Sequence, residues 1–327
     1  MLTLAWISII GFCIIMYVIL DGFTLGTGIL MPFMKSSERD LAVSMLLPTW
    51  DGNQTWLVLG MASLYGAFPA AFSILLPVFY LPLLIMVVAI LSRGVAFEFR
   101  LKSIHAKHRW DIVFFIASLS ATLTQGFILG SFIQGFYLHN SQWYAASSFD
   151  AFNVLSSLAL VIGYCLLGST RLVLKTTKIL QQKMFRASFV LSLLLMLFIF
   201  VISVYTPFVY PLVQHRWFNL AIMPYLAILP FITVMFFILL IYGLYKKWDR
   251  VPYWSAVVVF LCPYFGFLIS VYPYIIPYKM TIWQAASPDN TLQFILVGAL
   301  IMLPVLLIYT GYAYKIFGGK VDEVIEY

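Results

Sequence analysis

Nine apolar runs, each long enough to cross a bilayer, leave this chain almost no polar surface between them. They cover residues 3–32, 45–66, 74–97, 112–137, 149–170, 187–208, 219–244, 253–275 and 290–315. A helix needs about 20 apolar residues to cross the hydrocarbon layer. The runs are too long for barrel strands, and they do not alternate apolar with polar residues. Backbone groups in lipid must bond within their own segment, so each run is expected to be a helix. Only 9% of the 327 residues are charged, against about 25% in a soluble domain. The expected fold is therefore all-α, a single polytopic membrane domain over residues 1–327 with about nine transmembrane helices. Pro82, Pro230, Pro263 and Pro304 fall inside runs and mark expected kinks.

The loops set the expected orientation. Counted from the first helix, the odd loops and the C-terminal stretch, together with the helix ends that border them, hold every Lys and Arg except Arg216 and Lys279. By the positive-inside rule those loops are cytoplasmic, so the N-terminus is expected outside and the C-terminus inside. The net charge of +7 follows from this loop placement, which argues against nucleic acid as a partner. No Lys or Arg precedes Lys35, so the first run lacks the basic start of a cleaved signal and is expected to be retained. Cys13, Cys165 and Cys262 each sit in an apolar run, far apart, and read as small buried hydrophobes. No loop is long enough for a soluble catalytic domain, so function must lie in the helices or with a partner.

Charges inside the membrane are costly, so they face protein or water. Asp21, Asp51 and Arg93 lie at similar depth on consecutive helices, between the mid-membrane and the cytoplasmic side. Asp51, Gln54 and Thr55 share a helix face, as do Tyr17, Asp21, Thr24 and Gly28. One reading makes these residues a proton pathway: Asp51, Asp21, Thr24, Gln54 and Thr55. The other makes them an Asp–Arg pair that locks helices, with Arg93 and Glu98 as charge partners. Residue physics alone leaves both open. Gly22, Gly26 and Gly28 thin the first helix and permit close helix contact. His105, His108, His139 and His215 lie in or beside loops, so no metal is expected to be ligated by this chain. No phosphate-binding loop, zinc-protease or nucleophile-elbow motif is present.

The run from Leu20 through Asp21-Gly22-Phe23-Thr24 to Gly28, followed by Trp50-Asp51-Gly52-Asn53-Gln54-Thr55-Trp56, resembles subunit II of cytochrome bd-type quinol oxidases. Arg93-Gly94-Val95-Ala96-Phe97-Glu98-Phe99-Arg100, Met280 to Ser287 and Tyr309-Thr310-Gly311-Tyr312 extend the resemblance over most of the chain. Trp50, Gly52, Asn53 and Trp56 are its motif residues. The compact length is similar to the shorter, cyanide-insensitive branch. The resemblance implies a respiratory complex of the bacterial cytoplasmic membrane that oxidises quinol and reduces dioxygen to water. A partner subunit I would carry two b-type haems and one d-type haem. Subunit II would meet it through the thin glycine face and the buried charges of its first helices, scaffold it and help deliver protons, with no catalytic residue of its own. The resemblance leaves room for a structural quinone, bound lipid and a small accessory membrane subunit. One position departs from the family pattern: Thr24 stands where a second Asp is common. A reading from another class is a secondary transporter of a small solute, against which the absence of an internal repeat speaks.

Overall fold

The computed structural model describes residues 1–103, 105–146, 150–209, 213–214, 217–219 and 223–321. His215 and Arg216 lie outside the described residues. The first run folds as α1 (Leu2–Leu20) and α2 (Gly22–Leu30), with Asp21 at the junction. The helical bonding nevertheless continues through it: the Asp21 amide donates to Tyr17 at 2.8 Å, and Leu25 donates to the Asp21 carbonyl at 2.8 Å. Pro32 ends this segment in a 3-10 turn, Met31–Phe33. The short helix α3 (Ser36–Leu46) follows, its start capped by the Glu38 carboxylate, which accepts from the Lys35 amide at 2.7 Å.

The expected run 45–66 is α4 (Trp50–Ala67), preceded by a turn at Leu47–Thr49 that contains Pro48. The run 74–97 divides at Phe79 into a short α5 (Pro69–Val78) and α6 (Tyr80–Lys102). Six long helices follow: α7 (Lys107–Gln134), α8 (Ala151–Lys175), α9 (Lys178–Val209), α10 (Met223–Tyr245), α11 (Val251–Val271) and, after the single turn α12 (Ile282–Ala285), α13 (Asp289–Ile316). Among the described residues, eight helices are long and apolar enough to cross a membrane, the first being the joined segment Leu2–Phe33. The remaining expected span, α4, has 18 residues, and its first two turns carry the polar Asp51–Thr55 stretch that lowers its apolarity. Pro230, Pro263 and Pro304 lie inside α10, α11 and α13, and Pro82 falls in the first turn of α6.

α8 is the centre of the bundle, the most buried of the long helices. Its small residues let neighbours come close. A Cβ on Gly26 of α2 would lie 1.6 Å from the Tyr164 carbonyl oxygen, and one on Gly168 would lie 2.5 Å from the Thr27 amide. Backbone therefore meets backbone along the α2–α8 seam, the kind of contact that drives helix association in lipid. Gly28 fits against Phe114 and Ser118 of α7. The thin face expected to meet a partner subunit is thus spent on helices of this same chain. The outer flanks of α9, α10 and α13 present Phe200, Ile238, Phe294 and Leu300, large apolar side chains suited to lipid or to a membrane partner. Two small hairpins close bundle ends: β1 (Phe136–His139) with β2 (Gln142–Ala145), turning at Asn140 and Ser141 with positive φ, and β3 (Tyr274–Ile276) with β4 (Met280–Thr281).

Candidate functional site: a buried charge pair and an outward carboxylate

Asp21 sits where α1 passes into α2, fully enclosed at 0% exposure, and Arg93 of α6 reaches it at 1% exposure. The Arg93 Nη2 donates to both carboxylate oxygens at 2.9 Å. The Arg93 Nε and Nη1 are buried without an acceptor. One turn earlier, the Tyr17 hydroxyl accepts from Gln125 Nε2 at 2.9 Å, and the Tyr164 hydroxyl donates to Gln125 Oε1 at 2.8 Å. A polar column thus links α1, α7 and α8 through the middle of an apolar bundle. Gln125 and Tyr164 were not singled out from the sequence, although each interrupts an otherwise apolar run.

Asn53 ties α4 to the same junction. Its Nδ2 donates to the Leu20 carbonyl at 2.8 Å, with Thr24 Oγ1 at 3.5 Å, and its Oδ1 accepts from the Tyr314 hydroxyl of α13 at 3.0 Å. The other motif residues pack around it. Trp50 stacks on Phe97 at 5.1 Å between ring centroids and lies over Gly94, where a Cβ would be 3.3 Å from the indole. Trp56 is buried and meets Phe12 edge-on at 5.7 Å. Gly52 admits the Tyr309 ring, 3.0 Å from where a Cβ would stand. The motif is therefore a packing device that seats α4 on α1, α6 and α13.

The structure brings Asp21, Thr24, Asn53 and Arg93 together, and it leaves Asp51 apart. Asp51 is exposed on the outer flank of α4 with Thr55, whose hydroxyl donates to the Gly52 carbonyl. Gln54 is half-buried, and its Nε2 has no acceptor. Arg93 is the counter-charge of Asp21 and not of Asp51, so the expected Asp–Arg pair is formed by Asp21. Glu98 is exposed and forms no ion pair among the described residues, so it is not a partner in the buried pair.

A second set of charges joins the ends of α3, α6 and α7. Arg100 bridges Asp111 at 2.5 Å and Asp40 at 2.9 Å, and Arg39 reaches Asp111 at 3.1 Å. Lys183 of α9 pairs with Glu38 at 2.9 Å. Burial of Glu38 works against its charge, but hydrogen bonds from Lys183 and from the Lys35 amide outweigh it and hold the carboxyl below its usual range.

Among the described residues no three His, Cys, Asp or Glu side chains form a metal-ligating group. The described histidines do not fit an axial haem ligand within a bundle. His105 and His139 are exposed, and the exposed His108 meets Arg39 through Nδ1 at 3.2 Å.

The family model for cytochrome bd terminal oxidase subunit II matches residues 2–317. The chain belongs to that family. It is 25% identical to subunit 2 of the cytochrome bd-I ubiquinol oxidase of Escherichia coli, over 99% of this chain and 97% of that one. Likeness to the probable cytochrome oxidase subunit 2 of Haemophilus influenzae is 24%, over 98% and 95%. The solved bd oxidase from Geobacillus thermodenitrificans shares the fold, with a TM-score of 0.82 over 97% of this chain and 98% of that one at 16% identity. As a bd-type subunit II, the chain is a multi-pass membrane component of a quinol oxidase, an oxidoreductase. The solute-transporter reading is thereby set aside.

Proposed function

We propose that this subunit II scaffolds a haem-bearing subunit I in the bacterial cytoplasmic membrane and helps carry protons from the cytoplasm to it. The two b-type haems and the d-type haem of that partner supply electron transfer and dioxygen reduction. The N-terminus lies outside and the C-terminus inside. Quinol is the reductant of the complex, and a structural quinone, bound lipid and a small accessory subunit belong to the same reading.

The observation that carries the proton role is the division of labour between the two carboxylates. Asp21 is sealed against Arg93, so its charge is spent on holding α1 and α6 together. Asp51 lies in the first turn of α4 and is open to whatever covers that flank. An open carboxyl near a helix start can exchange a proton with water and pass it to a neighbouring subunit. Thr55 shares its face, and Gln54 adds an unfilled donor behind it. Thr24, buried against Asn53, belongs with the packing residues in this scheme.

Asp51→Asn keeps shape and hydrogen bonding but removes the titratable proton. The variant complex should assemble with its full haem spectrum and lose at least about tenfold in quinol oxidase turnover. Full turnover in an assembled Asp51→Asn complex would rule out the relay. Orientation is tested separately. Reporters fused after Lys107, Lys178 or Lys247 should read cytoplasmic, and those after Asn140 or Trp283 external. A cytoplasmic signal at Asn140 would break the proposed topology.

A further inference from the structure

Arg171 lies one turn before the end of α8, and 8% of its surface is exposed. Three aromatic rings surround its head. The guanidinium carbon is 5.0 Å from the Phe23 centroid on α2, 5.0 Å from Tyr253 on α11 and 5.1 Å from Tyr314 on α13. No ion pair or hydrogen bond satisfies the guanidinium among the described residues, and its Nε is enclosed without an acceptor. Arginine keeps its charge when buried, and its donors all lie in the guanidinium plane. Aromatic faces attract the cation but accept little from those in-plane N–H groups. The cage holds the head in place, and the buried Nε is left without an acceptor.

The surroundings favour an anion. Lys175, one turn further along α8, is buried and donates to the carbonyls of Phe317 and Gly319. Lys320 reaches the Thr176 carbonyl at 3.3 Å and Asp249 at 2.5 Å. Asp249 also accepts from Gln181 at 2.8 Å, so that carboxylate is already engaged. Among the described residues, Lys175 and Lys320 thus stand near this end of α8 with Asp249 as the one carboxylate paired to them. Arg171 stands four residues from the end of α8, about 6 Å along the axis. On the proposed topology this end of α8 meets the cytoplasmic face, where the anions within reach are headgroup and inorganic phosphates.

We propose that the Arg171 cage is an oxyanion site that binds a phosphate group, carried by a membrane phospholipid or free as inorganic phosphate. The in-plane fork of Arg171 would donate to the phosphate oxygens, a geometry that arginine provides and lysine does not.

The test uses the purified two-subunit complex in detergent. Native mass spectrometry reads retained phospholipid, and thermal unfolding is followed as inorganic phosphate replaces chloride at constant ionic strength. The wild-type complex should keep a phospholipid through detergent washing, or, once stripped of lipid, rise in Tm with phosphate. The first result assigns the site to a headgroup and the second to the free ion. Arg171→Gln should abolish either response, and Arg171→Lys should weaken it about tenfold. A wild-type complex that shows neither response overturns the proposal. If Arg171→Gln does not assemble, Arg171→Lys decides: lipid retention and a phosphate titration identical to wild type would equally overturn it.

Discussion

Gly26→Ala should stop this subunit from packing, and with it the assembly of the oxidase. The added methyl would stand 1.6 Å from the Tyr164 carbonyl oxygen and 2.2 Å from its carbon. The obstacle is backbone on the rigid central helix α8, so no side chain can turn aside to make room. α2 and α8 would have to part, and Gly168 on the facing side, where a Cβ would stand 2.5 Å from the Thr27 amide, would lose its fit. Overpacking of an ordinary core costs about 1–3 kcal/mol. A clash of two helix backbones lies at or above the top of that range. The expected readout is loss of the haem spectrum from purified membranes. Gly266→Ala on α11 is the matched control, because its methyl would meet only Leu229 at 3.6 Å. Wild-type haem content in Gly26→Ala would disprove the seam.

Asp21→Asn comes next in size. It leaves the Arg93 charge buried with no counter-ion, and two of its nitrogens already lack acceptors. Removing one partner of a buried pair costs about 3–5 kcal/mol, a large share of a total stability of about 5–15 kcal/mol. The variant complex should unfold at a clearly lower temperature. Adding Arg93→Gln to Asp21→Asn should recover much of the loss, since the unpaired charge is then gone. An unchanged Tm in Asp21→Asn, or a double variant less stable than the single, would contradict a structural pair.

The membrane architecture was legible because spanning helices announce themselves by length and apolarity, and the long runs all reappear as helices. What stayed hidden was angular. Asp21, Asp51 and Arg93 could be placed at one depth from residue counts, but depth does not say which way a side chain points. Asn53, Trp56 and Gly60 turn inward from α4, which leaves Asp51 on the outside. A shift of two residues along the helix separates a buried anchor from an open carboxylate. The glycine face announces a close contact, but a sequence does not name the helix that fills it, and the expected partner subunit gives way to α7 and α8 of this same chain. Arg171 falls one residue past the run 149–170, where sequence alone places it in the following loop. Continuation of α8 to Lys175 brings it into the bundle, and nothing in its neighbours along the chain indicates the three rings that meet it from other helices.

The pair between Asp21 and Arg93 spans 72 positions of the chain, and this separation becomes a waiting time during synthesis. At about 5–20 residues per second, Asp21 emerges roughly 4–14 s before Arg93 exists. For that interval the carboxylate belongs to a nascent segment without its counter-charge, and the glycine seam opposite it has no α8 to fill it. The first segment must therefore stay in a wet or protein-lined setting, or carry Asp21 as the neutral acid, until α6 arrives, so faster translation would shorten the wait and slower translation would lengthen it.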